Sequence, residues 1–400
     1  MISLADIRAA RERIRSRIYE SPCPRSERLS RRTGCELHLK LENLQMTGSF
    51  KERGARNRIL QLTAAERAAG VIAASAGNHA QGLAFHAGLE GVKACIVMPT
   101  ATALIKVTAT RGYGAEVVLH GDSYDDAAAE ALRLQQARGM TLVHAFDDPA
   151  VIAGQGTVGL EILEQVPNVD AVVVPVGGGG LASGIALAIK EQNPRVKVFG
   201  VEAALVPSMQ RALQAGHPVL IEAHRTIADG IGARRAGQHP FELARRYVDE
   251  VVTVDESEIA EAILSLLEDE KTVAEGAGAV SLAALLEERL PVKGQRVVAL
   301  VSGGNIDVNL LSRIIDRGLV KSGRAMRTRV SIPDLPGTLA RLLATVASTG
   351  ANVMSVHHDR IGARTEVGQI AVELDLETRG FEHIAEIGAA LEKAGWHTEP

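Results

Sequence analysis

From about residue 70 onward, short apolar runs rich in β-branched residues alternate with helical stretches. The runs are Val71-Ile-Ala-Ala, Lys93-Ala-Cys-Ile-Val-Met, Glu116-Val-Val-Leu, Thr141-Leu-Val-His, Asp170-Ala-Val-Val-Val-Pro-Val, Val196-Lys-Val-Phe-Gly-Val and Val297-Val-Ala-Leu-Val. Strands that are apolar along their whole length are buried on both faces, and helix-length connections are what parallel pairing requires. The alternation therefore predicts an α/β fold of open parallel sheets with helices on both faces. Ligands in such sheets bind at the carboxyl ends of the strands, where glycine-rich turns let backbone N–H groups face an anion. Three of these strands run directly into such turns: Ser75-Ala-Gly-Asn-His, Gly177-Gly-Gly-Gly and Ser302-Gly-Gly-Asn.

At 400 residues the chain is too long for one ordinary core. The parallel pattern is expected to fill residues 1–320, with a smaller subdomain over roughly 48–150. Near 320 the pattern changes, a short basic stretch from Lys321 to Arg329 leading into a separate unit over 326–400. Thr328 to Ile332 reads as a strand, and Leu339, Leu342, Leu343, Val346 and Ala347 have helical spacing. Ala351 to Arg360 reads as a strand, Ile370, Val372, Leu374 and Leu376 alternate as another, and Phe381, Ile384, Ile387 and Leu391 mark a second helix. With room for a last short strand, the order is that of a ferredoxin-like βαββαβ module.

Several functions lose their minimum parts. No apolar run of eighteen residues appears, so no membrane partner is expected. A net charge of −4 spread along the chain, with 3% aromatic residues, offers neither a basic block nor stacking platforms for nucleic acid. Cys23, Cys35 and Cys95 are too scattered for a disulfide framework and read as small buried hydrophobes. The opening residues, with Ser3 as a helix cap and no basic start before an apolar block, predict a cytoplasmic protein. No set of metal ligands is expected: His357-His358-Asp359 reads as a strand end with no source for further ligands.

Four constellations remain that bear on chemistry. Thr47-Gly-Ser-Phe-Lys-Glu-Arg-Gly contains Lys51, an amine that forms a Schiff base with an aldehyde once burial or cationic neighbours lower its pKa, with Phe50 as an apolar neighbour. An ordinary exposed helix lysine beside Glu52 and Arg53 fits the same spacing. Ser75-Ala-Gly-Asn-His opens a helix after a strand, so a substrate carboxylate can sit on backbone amides of Ser75, Ala76, Gly77 and His79 while Asn78 donates to an oxygen. A cap and a satisfied turn histidine explain those residues equally well. Gly177, Gly178, Gly179 and Gly180, followed by Leu181, suit close approach of backbone to phosphate, since such a run stabilises neither helix nor strand. Gly177, Gly179 and Ala182 also fit a dinucleotide fingerprint, with Glu202 ending the next strand, which keeps a nicotinamide-dependent dehydrogenase open. Ser302, after the last strand, can hydrogen-bond a ring nitrogen without supplying charge, or simply make a turn.

Taken in order, G-S-F-K-x-R-G, S-A-G-N-H-A-Q-G, G-G-G-G-L and S-G-G-N resemble the threonine ammonia-lyase (threonine dehydratase) family of fold-type II pyridoxal-phosphate enzymes. The resemblance extends to Leu39-Lys-Leu-Glu-Asn-Leu-Gln, Thr226-Ile-Ala-Asp-Gly-Ile and Glu275-Gly-Ala-Gly-Ala. Residues 326–400 resemble an ACT domain, marked by Asp334-Leu-Pro-Gly-Thr-Leu and Gly350-Ala-Asn-Val. The resemblance implies a tryptophan synthase β-like pair of open parallel sheets, pyridoxal 5′-phosphate as cofactor, and a small amino acid as substrate. Lys51 becomes the Schiff-base lysine and the base for the α-proton, Phe50 packs near the ring, and Asn78 bonds the 3′-oxygen. Gly177 to Gly180 with Leu181 cradle the phosphate, and Ser302 pairs with the pyridine nitrogen, a neutral partner that favours elimination over transamination.

Two positions depart from related patterns. Serine racemases of this kind carry a second serine where this chain has Ala76, which has no proton to exchange, so little racemase activity is expected. Members that bind a divalent cation use acidic groups after the glutamate matching Glu202, whereas Ser208 stands here, which puts a metal requirement in doubt. The expected reaction is L-threonine to 2-oxobutanoate and ammonia, with side activity on L-serine and an amino-acid effector at the ACT-like module of a homo-oligomer, dimer or tetramer. A serine or threo-3-hydroxyaspartate ammonia-lyase, the dehydrogenase, and a non-catalytic amino-acid sensor are the other readings.

Overall fold

The computed structural model describes residues 2–222, 224–359 and 368–399. They form two compact units, Met1–Ile306 and Asp307–Pro400. The first contains β1 (Glu36–Leu41), β2 (Val71–Ala74), β3 (Ala94–Met98), β4 (Glu116–Leu119), β5 (Thr141–Leu142), β6 (Ala171–Pro175), β7 (Lys197–Ala203), β8 (Glu250–Val254) and β9 (Arg296–Val301). Two sheets result, ordered β1-β9-β6-β7-β8 and β4-β3-β2-β5. Every neighbouring pair in them is parallel. β3 and β6 are buried along their whole length, as two-sided burial requires, whereas the edge strand β4 keeps Glu116 and Leu119 exposed.

Two strands were not anticipated from the runs. β1, Glu-Leu-His-Leu-Lys-Leu, alternates in the manner of an edge strand, with β9 on one side and the segment 22–26 bridged to it on the other; β8, Glu-Val-Val-Thr-Val, is short and lies at the opposite edge. β5 is shorter than its sequence run. Beyond Leu142 the chain turns, with Phe146 N and Asp147 N donating to His144 Nδ1 at 3.3 and 2.9 Å. The first helix, Leu4–Ile14, begins at the expected cap, Ser3 and Asp6 forming a capping box. Cys35 and Cys95 are buried and Cys23 half-buried, all three as free thiols.

The second unit contains the helix Val308–Lys321, then β10 (Ala325–Pro333), β11 (Asn352–Asp359), β12 (Gln369–Glu377) and β13 (His397–Glu399). Its sheet is antiparallel, in the order β11-β12-β10-β13, and the helices Thr338–Ser348 and Phe381–Lys393 complete a ferredoxin-like βαββαβ arrangement. Val330, Ile332, Leu342, Val346, Val372, Leu374, Leu376, Ile387 and Leu391 form its core. The units divide at 306/307, earlier than the change of pattern near 320, and the turn that follows the helix Val308–Lys321 is bonded to the end of β12. Thr378 Oγ1 donates to Gly323 O at 2.7 Å and Thr378 N to Arg324 O at 2.9 Å. The strand read as ending at Arg360 is described to Asp359, and Arg360 lies outside the described residues. His357 and His358 are exposed. Among the described residues no helix is long and apolar enough to cross a membrane.

Candidate active site

Each glycine-rich turn sits at the carboxyl end of a strand. β2 leads through Ser75–Gly77 into the helix Asn78–Leu89, β6 through 176–179 into the helix Gly180–Lys190, and β9 into Ser302–Asn305. Lys51 opens the helix Lys51–Leu60, and the loop before it lies on the last of these turns. Phe50 N donates to Ser302 O at 3.1 Å, Gly304 N to Gly48 O at 2.9 Å, and Ser49 bridges to Gly303. Gly48 has φ +75°, and a Cβ there would lie 2.6 Å from Asn305 Oδ1, so the first motif carries glycine where the fourth presses against it.

Lys51 Nζ donates to Ala145 O at 2.9 Å and lies 5.1 Å from the centre of the Phe50 ring. Burial pushes its pKa down to about 8, against the pull of Glu275. The exposed-lysine reading fails: Lys51 is half-buried, and its neighbours Glu52 and Arg53 are 0% and 1% exposed. One residue past the Lys51 acceptor, Phe146 covers the phosphate-type turn. A Cβ at Gly178 would lie 2.3 Å from the Phe146 ring, and one at Gly180 would lie 2.7 Å from Phe146 O. The helix Gly180–Lys190 has no side-chain cap, so its first amides face the turn. Leu181 is buried in the core beneath and offers the turn only its backbone.

The second motif divides. Asn78 joins the site through its amide: Nδ2 donates to Glu275 Oε1 at 2.6 Å, and Oδ1 accepts from Asn305 Nδ2 at 2.8 Å. Ser75 Oγ accepts from Gly77 N at 3.3 Å and Ala76 packs against the core of the smaller sheet. The His79 ring turns away: it is 2% exposed, Nε2 bonds Val143 O at 2.9 Å, and burial holds its pKa down at about 3. That leaves its backbone amide, not its imidazole, for the part the sequence assigns it. Ser302 is buried and its hydroxyl donates to Ala277 O at 3.3 Å.

Glu275 and Asn305 belong to this cluster and were not singled out as site residues. Both stand inside quoted motifs, Glu275 at the head of E-G-A-G-A and Asn305 at the end of S-G-G-N, so position in a motif was the available signal. Burial, helped by Asp229, pushes Glu275 up to about 7, while the bond from Asn78 and the charges of Lys106 and Lys51 act the other way. Glu202 has another task. Met209 N and Gln210 N donate to its two oxygens at 2.7 and 2.8 Å, capping the helix Ser208–Ala215, which removes the free acceptor that the dehydrogenase reading needs.

The model of the family described as "Pyridoxal-phosphate dependent enzyme" matches residues 14–303. L-threonine ammonia-lyase of Thermotoga maritima is 51% identical over 396 residues, 99% of this chain and 98% of that one. Among solved structures, the processed form of threonine deaminase isoform 2 from Solanum lycopersicum is 39% identical with a TM-score of 0.75, covering 78% of this chain and 86% of its own. Serine racemase from Dictyostelium discoideum is 37% identical with a TM-score of 0.72, covering 76% and 99%.

Proposed function

The chain belongs to the pyridoxal-phosphate-dependent enzyme family, and on that premise we propose that it deaminates L-threonine to 2-oxobutanoate and ammonia. The observation that carries this reading is the convergence of a half-buried lysine with a glycine turn, an asparagine and a neutral serine. These residues fit pyridoxal phosphate. The turn 177–180 carries no side chains and leads into an uncapped helix N-terminus, where backbone amides favour a phosphate. Bound there, the cofactor supplies an electron sink for the charge left at the substrate α-carbon.

The protein's own groups do the rest. With its pKa near 8, Lys51 sheds its proton close to neutral pH, so it serves as the holding amine and then as the base that takes the α-proton. Backbone amides at the start of the helix Asn78–Leu89 hold the substrate carboxylate. Ser302 gives the ring nitrogen a neutral partner, which leaves less charge delocalised and favours departure of the β-hydroxyl. Released from the protein, the unsaturated amine takes up water and yields the 2-oxo acid and ammonium. Ala76 supplies no base on the opposite face, so elimination from the L-amino acid is favoured over racemisation. Serine lacks one methyl of threonine, worth only about 1–3 kcal/mol in an apolar pocket, so side activity on L-serine is part of the reading. The ferredoxin-like second unit supports a homo-oligomer, dimer or tetramer, that responds to an amino acid such as isoleucine or valine.

Borohydride treatment in the presence of pyridoxal phosphate should fix the cofactor's mass on the peptide containing Lys51. Steady-state kcat/KM should fall from L-threonine to L-serine to threo-3-hydroxyaspartate and shift when isoleucine or valine is added. Labelling elsewhere, or turnover unaffected by Lys51→Ala, would remove the lyase reading; an assay indifferent to both effectors would remove the regulatory part alone.

A further inference from the structure

An asparagine amide presents either a donor or an acceptor to its surroundings, and a half-turn of the amide exchanges the two. Around Asn78 that choice is over-determined. Thr47 O is a backbone carbonyl, acceptor only, and it takes a bond from Asn305 Nδ2 at 2.7 Å. The same Asn305 nitrogen donates to Asn78 at 2.8 Å, so Asn78 must turn its oxygen to that side. Its nitrogen is thereby turned to Glu275 Oε1, at 2.6 Å. From the carbonyl of the Lys51 loop the orientation passes through Asn305 to Asn78, without a free choice along the way.

We propose that Asn305 is a positioning residue which locks the Asn78 amide so that the site offers the cofactor an N–H donor and never a C=O. This rests on the reading of Asn78 as a cofactor contact. One Nδ2 hydrogen is held by Glu275, and the second is the donor for the 3′-oxygen. The positive-φ glycine at 48 belongs to the same device, because any side chain there would displace Asn305. Asn305 therefore couples the loop that carries Lys51 to the group that bonds the cofactor ring substituent, and a shift of one is felt by the other.

Asn305→Asp tests the lock, since a carboxylate has no donor for Asn78 or for Thr47 O. The Asn78 amide should make a half-turn, set its oxygen beside Glu275 and lose its donor to the cofactor. Pyridoxal phosphate affinity, read from the fluorescence of the protein on titration, should weaken about tenfold, which corresponds to about 1.4 kcal/mol, and the visible absorption band should shift. Asn305→Ala should act in the same direction and more weakly, and it carries the test if the aspartate variant melts before it can be loaded. In an Asn78→Ala background the same substitutions should change affinity by no more than about twofold. Equal losses in both backgrounds, or no loss in either Asn305 variant, would overturn the positioning role while leaving Asn78 as a contact. If Asn78→Ala by itself leaves affinity and band unchanged, the Asn78 contact falls and the lock with it, whereas the Lys51 labelling result stands apart.

Discussion

Lys51 and Arg53 lie two residues apart on one helix, Lys51 half-buried and Arg53 1% exposed, and the chain surrounds them in opposite ways. Arg53 is fully paired. Its Nε and Nη2 donate to Glu42 at 2.8 and 2.7 Å, Nη1 and Nη2 to Glu161 at 2.5 and 2.8 Å, and Nη1 also to Thr157 Oγ1 at 3.0 Å. Lys40 closes the set through Glu161 at 2.5 Å, so two cations face two carboxylates. Burial works to neutralise both groups, but Glu42 and Glu161 outweigh it and hold Arg53 above the usual guanidinium range, and Arg53 in turn holds Glu42 low. Lys51 has one backbone carbonyl instead, and burial brings it to about 8 and Glu275 to about 7. The difference teaches that burial with complete pairing fixes charge, while burial without it places titration near neutral pH, where proton transfer is useful.

The largest break of this contrast is a matched pair of substitutions. Lys51→Met should lower kcat/KM by roughly 10³-fold or more while raising the neutral-pH stability of the cofactor-free protein by about 1–3 kcal/mol, because it removes a charge that burial disfavours. Arg53→Met strands Glu42 and Glu161 beside Lys40 and should cost about 3–5 kcal/mol in denaturant unfolding. A comparable stability loss at both positions would erase the distinction.

A smaller effect appears in pH. Glu275 moves from 4.5 to about 7 on folding, so the folded state holds a proton that the unfolded chain has lost, and stability should fall as pH rises across that window. Lys51 moves from 10.5 to about 8, so the unfolded chain holds the extra proton, and stability should rise with pH between about 8 and 10.5. Each change should be on the order of 1–3 kcal/mol. Unfolding of the cofactor-free protein against pH should show a shallower first slope in Glu275→Gln, the remainder belonging to Glu202, which burial also pushes up to about 7, and a shallower second slope in Lys51→Met. Slopes unchanged in those variants would assign them to other groups. Arg53 and Glu42 titrate outside both windows and should contribute to neither.

Smallest is Thr157→Val, which takes one acceptor from Arg53 and should cost about 1 kcal/mol with no change in either pH slope. A new slope there would show that the paired cluster titrates after all.

Much of this contrast was invisible along the chain. Lys51-Glu-Arg looks like any charged helix start, and of the carboxylates that face it Glu42 lies 11 residues before Arg53 while Glu161 lies 108 after it and Glu275 farther still. The parallel strands were legible because burial on two faces writes itself as uninterrupted apolar runs, as in β3 and β6. β1 was not, because the polar residues Glu36, His38 and Lys40 interrupt the run, Lys40 being buried against Glu161 all the same. His79 shows the opposite failure. It stands in the right motif, but the helix turns its ring toward Val143 O.

Residue types and their order determined the α/β class, the three glycine-rich turns, the neutral hydroxyl of Ser302 and the bare methyl of Ala76, because these depend on local chemistry that each residue carries wherever it sits. Which lysine loses its proton, which asparagine face points outward, and which glutamate is free were decided only by the tertiary structure. Those properties belong to environments, and here each environment is assembled from segments up to 258 residues apart, as in the bond from Asn305 to Thr47.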